Sequence, residues 1–397
     1  MKSSISLLAI FLFPGLFVAN LNGDESGSEA SARPKTKQLF KVKPGPWGNL
    51  EYYETYLKPP EWLLDSLQWP RDTTRWIFPG LTPAQAKQAL MEVTLPEDSL
   101  GWIESPGGSQ VVEGGCFLFP PENFLLGMSP FMRARAASLL SRWPQNFIHW
   151  DPIIVSTSDP KGWFSGAGIS EKTASLAASL SYLRGKLLVF SDIPLVLSKT
   201  ESEEERTAFT RVIGKQKTLV LRLRMGAGSD VEQISNYWSS NHRREDVVSI
   251  LEGVMESGEV ELLDIVHLMP PLPRKLLYTY PMPEGRKTGE MPDCYWTALN
   301  FFNFVPREDF LDVHQFEERL AAEYVQVGQP LQLGDIVVIK HTETGNTLHA
   351  ASYVAEEIVF TKNGQHPARP WILMRYRDMV DLYLTEGKLN LEFYRKK

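Results

Sequence analysis

The chain has 397 residues, of which 43% are hydrophobic and 22% charged, with a formal net charge of −7. That composition is ordinary for a globular protein with a sizeable core, and the length accommodates two domains. The negative balance offers nucleic acid, anionic lipid or peptidoglycan no bulk electrostatic attraction, and no nucleic-acid partner is expected.

Met1-Lys2 and the apolar run from Ile5 to Ala19, with a polar stretch after it, read as a secretory signal over residues 1–23. The run is too short to span a bilayer comfortably, and no later run is long enough. A secreted or periplasmic protein with no integral membrane segment after processing is expected. Residues 24–45, rich in Ser, Glu, Gly, Lys and Pro, read as a flexible leader. From Pro46 to Trp76, aromatic residues broken by Pro59-Pro60 and Pro70 suggest irregular structure.

Thr82-Pro83 opens a helix to Val93, with Thr as the cap and Pro at the first helical position. Gly107-Gly108 and Gly114-Gly115 punctuate a hairpin-like region, and Ser129-Pro130 opens a helix through Arg142. Ser170 to Arg184 reads as one amphipathic helix with a Leu176, Leu180, Leu183 stripe stopped by Gly185. Helices are expected over Glu201–Ile213 and Glu245–Met255, with a half-buried strand at Thr218–Arg224 between them. A proline-rich stretch from Val266 to Pro283 is taken to hold the boundary between a mostly helical domain, 46–270, and a second domain, 271–397. In the second, a helix from Cys294 to Phe304 and another from Phe316 to Tyr324 precede a run of strands. The fold class expected is therefore α+β.

Only Cys116 and Cys294 are present, and in an oxidising compartment they could form one disulfide. Cys116 lies among Gly115, Phe117 and Leu118, as a small buried hydrophobe would. Cys294 has more reactive surroundings: Asp293 can cap a helix that Cys294 begins. There the free N–H groups favour thiolate over thiol and can stabilise an oxyanion. His349 heads a later strand, His349-Ala350-Ala351-Ser352-Tyr353-Val354, and can serve as the base.

Asp293-Cys294, then Leu333-Gly334-Asp335-Ile336-Val337-Val338, then His349 with Tyr353-Val354, resembles the papain-like NlpC-type cell-wall peptidases and their CHAP amidase relatives. The likeness covers about residues 275–365, and Cys294-Tyr295-Trp296 stands where the NlpC type has Cys-Ser-Gly. It implies a helix packed on an antiparallel sheet, and cofactor-free hydrolysis of an amide bond through a thioester. Peptidoglycan stem peptide is the implied substrate. Cys294 would be the nucleophile and His349 the base. A third residue would hold the imidazole: ungapped counting reaches Thr361, whereas Asn363 is chemically better suited and is favoured. Tyr280 resembles the upstream tyrosine that assists the oxyanion. The alternative is an inactive secreted binding or structural module on the same fold. No His-Glu-x-x-His, Cys-x-x-Cys or Gly-x-Ser-x-Gly occurs, so zinc and serine-hydrolase readings have no motif.

Overall fold

Residues 38–64, 74–239, 244–258, 261–282, 291–383 and 387–397 are described here in a computed structural model, an α+β structure whose sheets are antiparallel. The expected signal segment and the leader up to residue 37 lie outside the described residues.

The principal elements of the first part, in chain order, begin with β1 (Leu39–Lys41), β2 (Asn49–Leu57), β3 (Trp76–Pro79) and α1 (Pro83–Glu92). Next come β4 (Ser109–Val112), β5 (Gly115–Leu118), α2 (Pro130–Leu140), β6 (Ile153–Ile154) and α3 (Glu171–Ser179). β7 (Tyr182–Arg184), β8 (Leu187–Phe190), α4 (Glu203–Ile213), β9 (Gln216–Arg224), α5 (Val231–Ser239), α6 (Arg244–Ser257) and β10 (Leu262–Asp264) complete it. Local chemistry sets the helix starts. Thr82 accepts from Gln85 N while the Gln85 side chain returns to Thr82 N, a reciprocal cap that satisfies two otherwise free N–H groups. Ser129, Ser170 and Ser202 cap α2, α3 and α4 in the same single-acceptor way.

Three segments of this part depart from the sequence expectation. Leu39–Lys41, within the stretch expected to be a flexible leader, is β1 and pairs antiparallel with β2. Asn49–Leu57 is not irregular: it pairs with β9 along nine residues, Asn49 opposite Arg224 through Leu57 opposite Gln216. Its tyrosines fit a pleated surface, and Glu51, buried, receives both Arg222 and Arg224 from the neighbouring strand. The helix from Ser170 stops at Ser179 instead of reaching Arg184. The Ser179 and Ser181 hydroxyls donate to the Leu176 and Ala177 carbonyls at its end. Tyr182–Arg184 then turns back through Gly185, at φ 60°, to pair with β8, which leaves Leu183 exposed.

Among the described residues, three sheets thus run among the helices of residues 38–270: β1-β2-β9-β10, β3-β5-β4 and β6-β8-β7. Through residue 282 the proline-rich stretch is ordered: α7 (Pro271–Leu276) follows Leu268 and Met269, and Leu272 lies within it, all three buried.

The second part has α8 (Cys294–Leu299), α9 (Gln315–Glu323), β11 (Tyr324–Gln326), β12 (Ile336–His341), β13 (Thr347–Ala355) and β14 (Ile358–Lys362). It ends with β15 (Trp371–Arg375), α10 (Tyr376–Asp381) and β16 (Leu389–Lys396). Its six strands lie in the order β11-β16-β12-β13-β14-β15. Residues 38–397 form one compact unit, and one hydrophobic cluster runs from Leu221 and Leu272 to Trp296, Phe360 and Leu373. The Thr218 hydroxyl joins β9 to β15, accepting from Leu373 N at 3.1 Å and lying 3.2 Å from Leu373 O.

A candidate active site around Cys294 and His349

α8 is short, and four side-chain hydrogen bonds fix it. Asp293, at the cap, accepts from Trp296 N at 2.8 Å. Thr297 donates back to the Asp293 carbonyl at 2.6 Å and accepts from the Trp371 indole at 3.0 Å, which ties the helix to β15. Tyr295 donates to the Thr347 carbonyl at 2.9 Å, which ties it to β13. The helix ends at Leu299 with Asn300 as its C-cap, not at Phe304, because the Asn300 carboxamide oxygen accepts from Arg307 N in the returning loop.

Cys294 is the first helical residue, as the sequence indicates, and its sulfur is buried and unbridged; Cys116 is free as well, in a separate apolar cluster. The helix start does not make it a thiolate. Burial, with the Asp293 carboxylate second, pushes the thiol far above its ordinary pKa. The Ala350, Tyr295 and Cys294 N–H groups pull it down, but less strongly. Desolvation of a full charge outweighs a few partial ones.

His349 is fully buried on β13, opposite Ile339 of β12. Its Nε2 lies 3.0 Å from the Thr361 hydroxyl of β14, and its Nδ1 lies 3.0 Å from the Tyr383 hydroxyl beyond α10. Burial lowers its pKa to about 3, so the ring is neutral at physiological pH. Among the described residues no hydrogen bond joins it to Cys294. The sulfur instead faces the N–H of Ala350, one residue along the strand.

The remaining expected residues fall differently. Thr361, not Asn363, meets His349: Asn363 lies just past the end of β14 at Lys362, with its Nδ2 3.6 Å from Met374 Sδ and its Oδ1 buried without a partner among the described residues. Asn363 lines a cavity of about 340 Å³ between β9, β15 and the β7–β8 hairpin. Tyr280 packs with Leu63 and Ala368, and its hydroxyl has no hydrogen-bond partner among the described residues. Gly334-Asp335 has a structural reason. Gly334 sits at φ 83°, and a Cβ there would stand 2.2 Å from the Phe302 ring, while Asp335 receives Arg395 from β16 at 2.9 and 2.7 Å.

Sequence reasoning missed Tyr383 and Lys362. Lys362 is fully buried on β14, donates to the carbonyls of Gly364 (2.5 Å) and His366 (3.3 Å), and feels the charge of Asp293. Burial drops its pKa to about 7. A lysine that ends a strand beside Thr361 carries no sequence signal of this. Among the described residues no three His, Cys, Asp or Glu side chains converge to hold a metal ion, and no helix is long and apolar enough to cross a membrane.

No protein-family model, no curated protein and no solved structure matches the chain.

Proposed function

We propose that the chain is an exported cysteine-dependent amide hydrolase with a papain-like second half, acting on peptidoglycan stem peptides. The observation that carries this reading is one cluster. Cys294 begins a helix locked onto the sheet, its sulfur lies against the Ala350 N–H that follows His349 on its strand, and His349 is held at Nε2 by Thr361. Nucleophile, base and orienting hydroxyl are the parts that acyl transfer through a thiol requires. Cys294 would attack the scissile carbonyl, His349 would take the thiol proton and return it to the leaving amine, and Thr361 would hold the imidazole. The resemblance of Asp293-Cys294, Gly334-Asp335 and His349 to cell-wall peptidases supplies the substrate class.

The test is release of soluble muropeptides from purified peptidoglycan by wild type, Cys294→Ser and His349→Ala. Release by wild type, cut at least about a hundredfold in each variant, is expected. Equal release by all three, or none by any, sinks the reading. A second reading, a secreted binding or structural module with an unused site, is favoured by the buried, protonated Cys294 thiol. Peptidoglycan pull-down without turnover would support it.

A further inference from the structure

The hydrogen bonding around His349 fixes more than its position. A neutral imidazole has one N–H and one lone pair, and its neighbours decide which nitrogen carries which. Thr361 is the deciding neighbour. Its hydroxyl has a single hydrogen, which goes to the Ala350 carbonyl at 3.2 Å. Toward His349 Nε2, 3.0 Å away, it therefore accepts, so Nε2 bears the proton. Nδ1 keeps the lone pair. Tyr383, 3.0 Å from Nδ1, then has one role open to it: its O–H donates. The phenol ring lies against the imidazole with centroids 5.3 Å apart, so it is held there by its body as well as its hydroxyl. Around that hydroxyl stand Cys294, Tyr295, Asp151 and Arg369. Arg369 is itself occupied by Asp151 at 2.5 Å and Gln216 at 3.0 Å.

We propose that Tyr383 is a positioning residue that reinforces the Nε2–H tautomer set by Thr361 and caps the basic nitrogen of His349, so that the base is free only when the phenol moves off Nδ1. The inference rests on the hydrolase reading for its consequence, though its premise is the bonding at one ring. When the phenol leaves, the Cys294 S–H proton moves to Nδ1, and a thiolate and an imidazolium result. Both imidazolium N–H groups then have acceptors, Thr361 at Nε2 and the thiolate at Nδ1. While the phenol stays, its bond favours the neutral ring and suppresses that transfer.

Two measurements test this without requiring hydrolysis. The first is nitrogen-15 NMR of His349, assigned with His349→Gln. In wild type it should show a protonated Nε2 and an unprotonated Nδ1, and in Tyr383→Phe the apparent pKa of His349 should rise by about one unit. The second is iodoacetamide alkylation of Cys294 at neutral pH in a Cys116→Ala background, which Tyr383→Phe should accelerate about tenfold. A wild-type ring protonated at Nδ1 overturns the proposal, and so does alkylation unchanged or slowed in Tyr383→Phe. A purely structural tyrosine would lower the melting temperature and leave both readouts where they were. Should Tyr383→Phe fail to fold, 3-fluorotyrosine at position 383, a stronger donor, must slow alkylation; acceleration there is equally fatal. Because both readouts are independent of turnover, an inactive protein that passes them refutes the hydrolase and not the role of Tyr383.

Discussion

Cys116 and Cys294 are the same residue type at nearly the same depth, both free and both with thiols harder to ionise than an exposed cysteine. Their surroundings differ. Cys116 lies in β5 within an apolar cluster that includes Phe78 and Leu118, and burial alone raises its pKa. Cys294 is buried too, but Asp293 caps its helix, the Asp293 charge reaches buried Lys362, and the Tyr383 hydroxyl stands beside His349. A buried thiol is thus what any core cysteine becomes. What sets one region apart is the polar company, since buried polar groups are costly to a fold that could have used apolar ones.

That contrast can be pushed hardest at Lys362. An unfolded lysine holds its proton up to about pH 10.4, whereas folded Lys362 releases it near pH 7, so the unfolded state binds more protons between those values. Stability should therefore rise with pH across that window. Lys362→Met, of similar length, should remove the rise and be more stable than wild type at pH 7 by about 3 kcal/mol. Urea midpoints at pH 7 and 10 read this out; a loss of stability at pH 7 would mean that the ammonium is paired better than its two carbonyls suggest.

A smaller effect belongs to His349. Its folded pKa, about 3, lies below the ordinary histidine value, so stability is full above about pH 6.5 and falls as pH drops toward 3. His349→Gln should flatten this acid limb by about 1 kcal/mol per pH unit, with the similarly lowered His149, at about 4, still contributing. An acid limb of unchanged slope in thermal melts would contradict the burial of the ring.

The least effect is expected in the apolar region. Cys116→Ala should cost about 1 kcal/mol of packing and leave both muropeptide release and Cys294 alkylation unchanged. A fall in either would show that the two regions are coupled.

Much of this was legible residue by residue. Thr82, Ser129 and Ser170 announce helix starts because a cap acts within four residues, and those three helices begin as expected, whereas the helix expected from Glu201 begins at Glu203 behind a Ser202 cap. Asp293 before Cys294 reads the same way, and the count from His349 to Thr361 holds even though the β13–β14 pairing shifts register between Tyr353 and Ala355. The β2 strand was hidden, since its partner β9 is distant in sequence and its prolines lie just outside it. Tyr383 was hidden for the same reason: nothing near it in sequence indicates that a chain end of α10 will deliver a phenol to His349. Preference for Asn363 over Thr361 weighed side-chain chemistry above strand geometry, and the strand decides.

The sheet order has a kinetic corollary. β16, the last strand in sequence, lies between β11 and β12, and among the described residues β11 pairs with no other strand. A chain emerging from a ribosome or a translocation pore can build β12, β13, β14 and β15 as hairpins first, but the slot beside β12 stays vacant until Leu389–Lys396 arrives. Arg395 is carried in on that strand to Asp335, the anchor of the turn at Gly334. Final closure of the sheet bearing His349 is thus a late, long-range event that local folding cannot complete early.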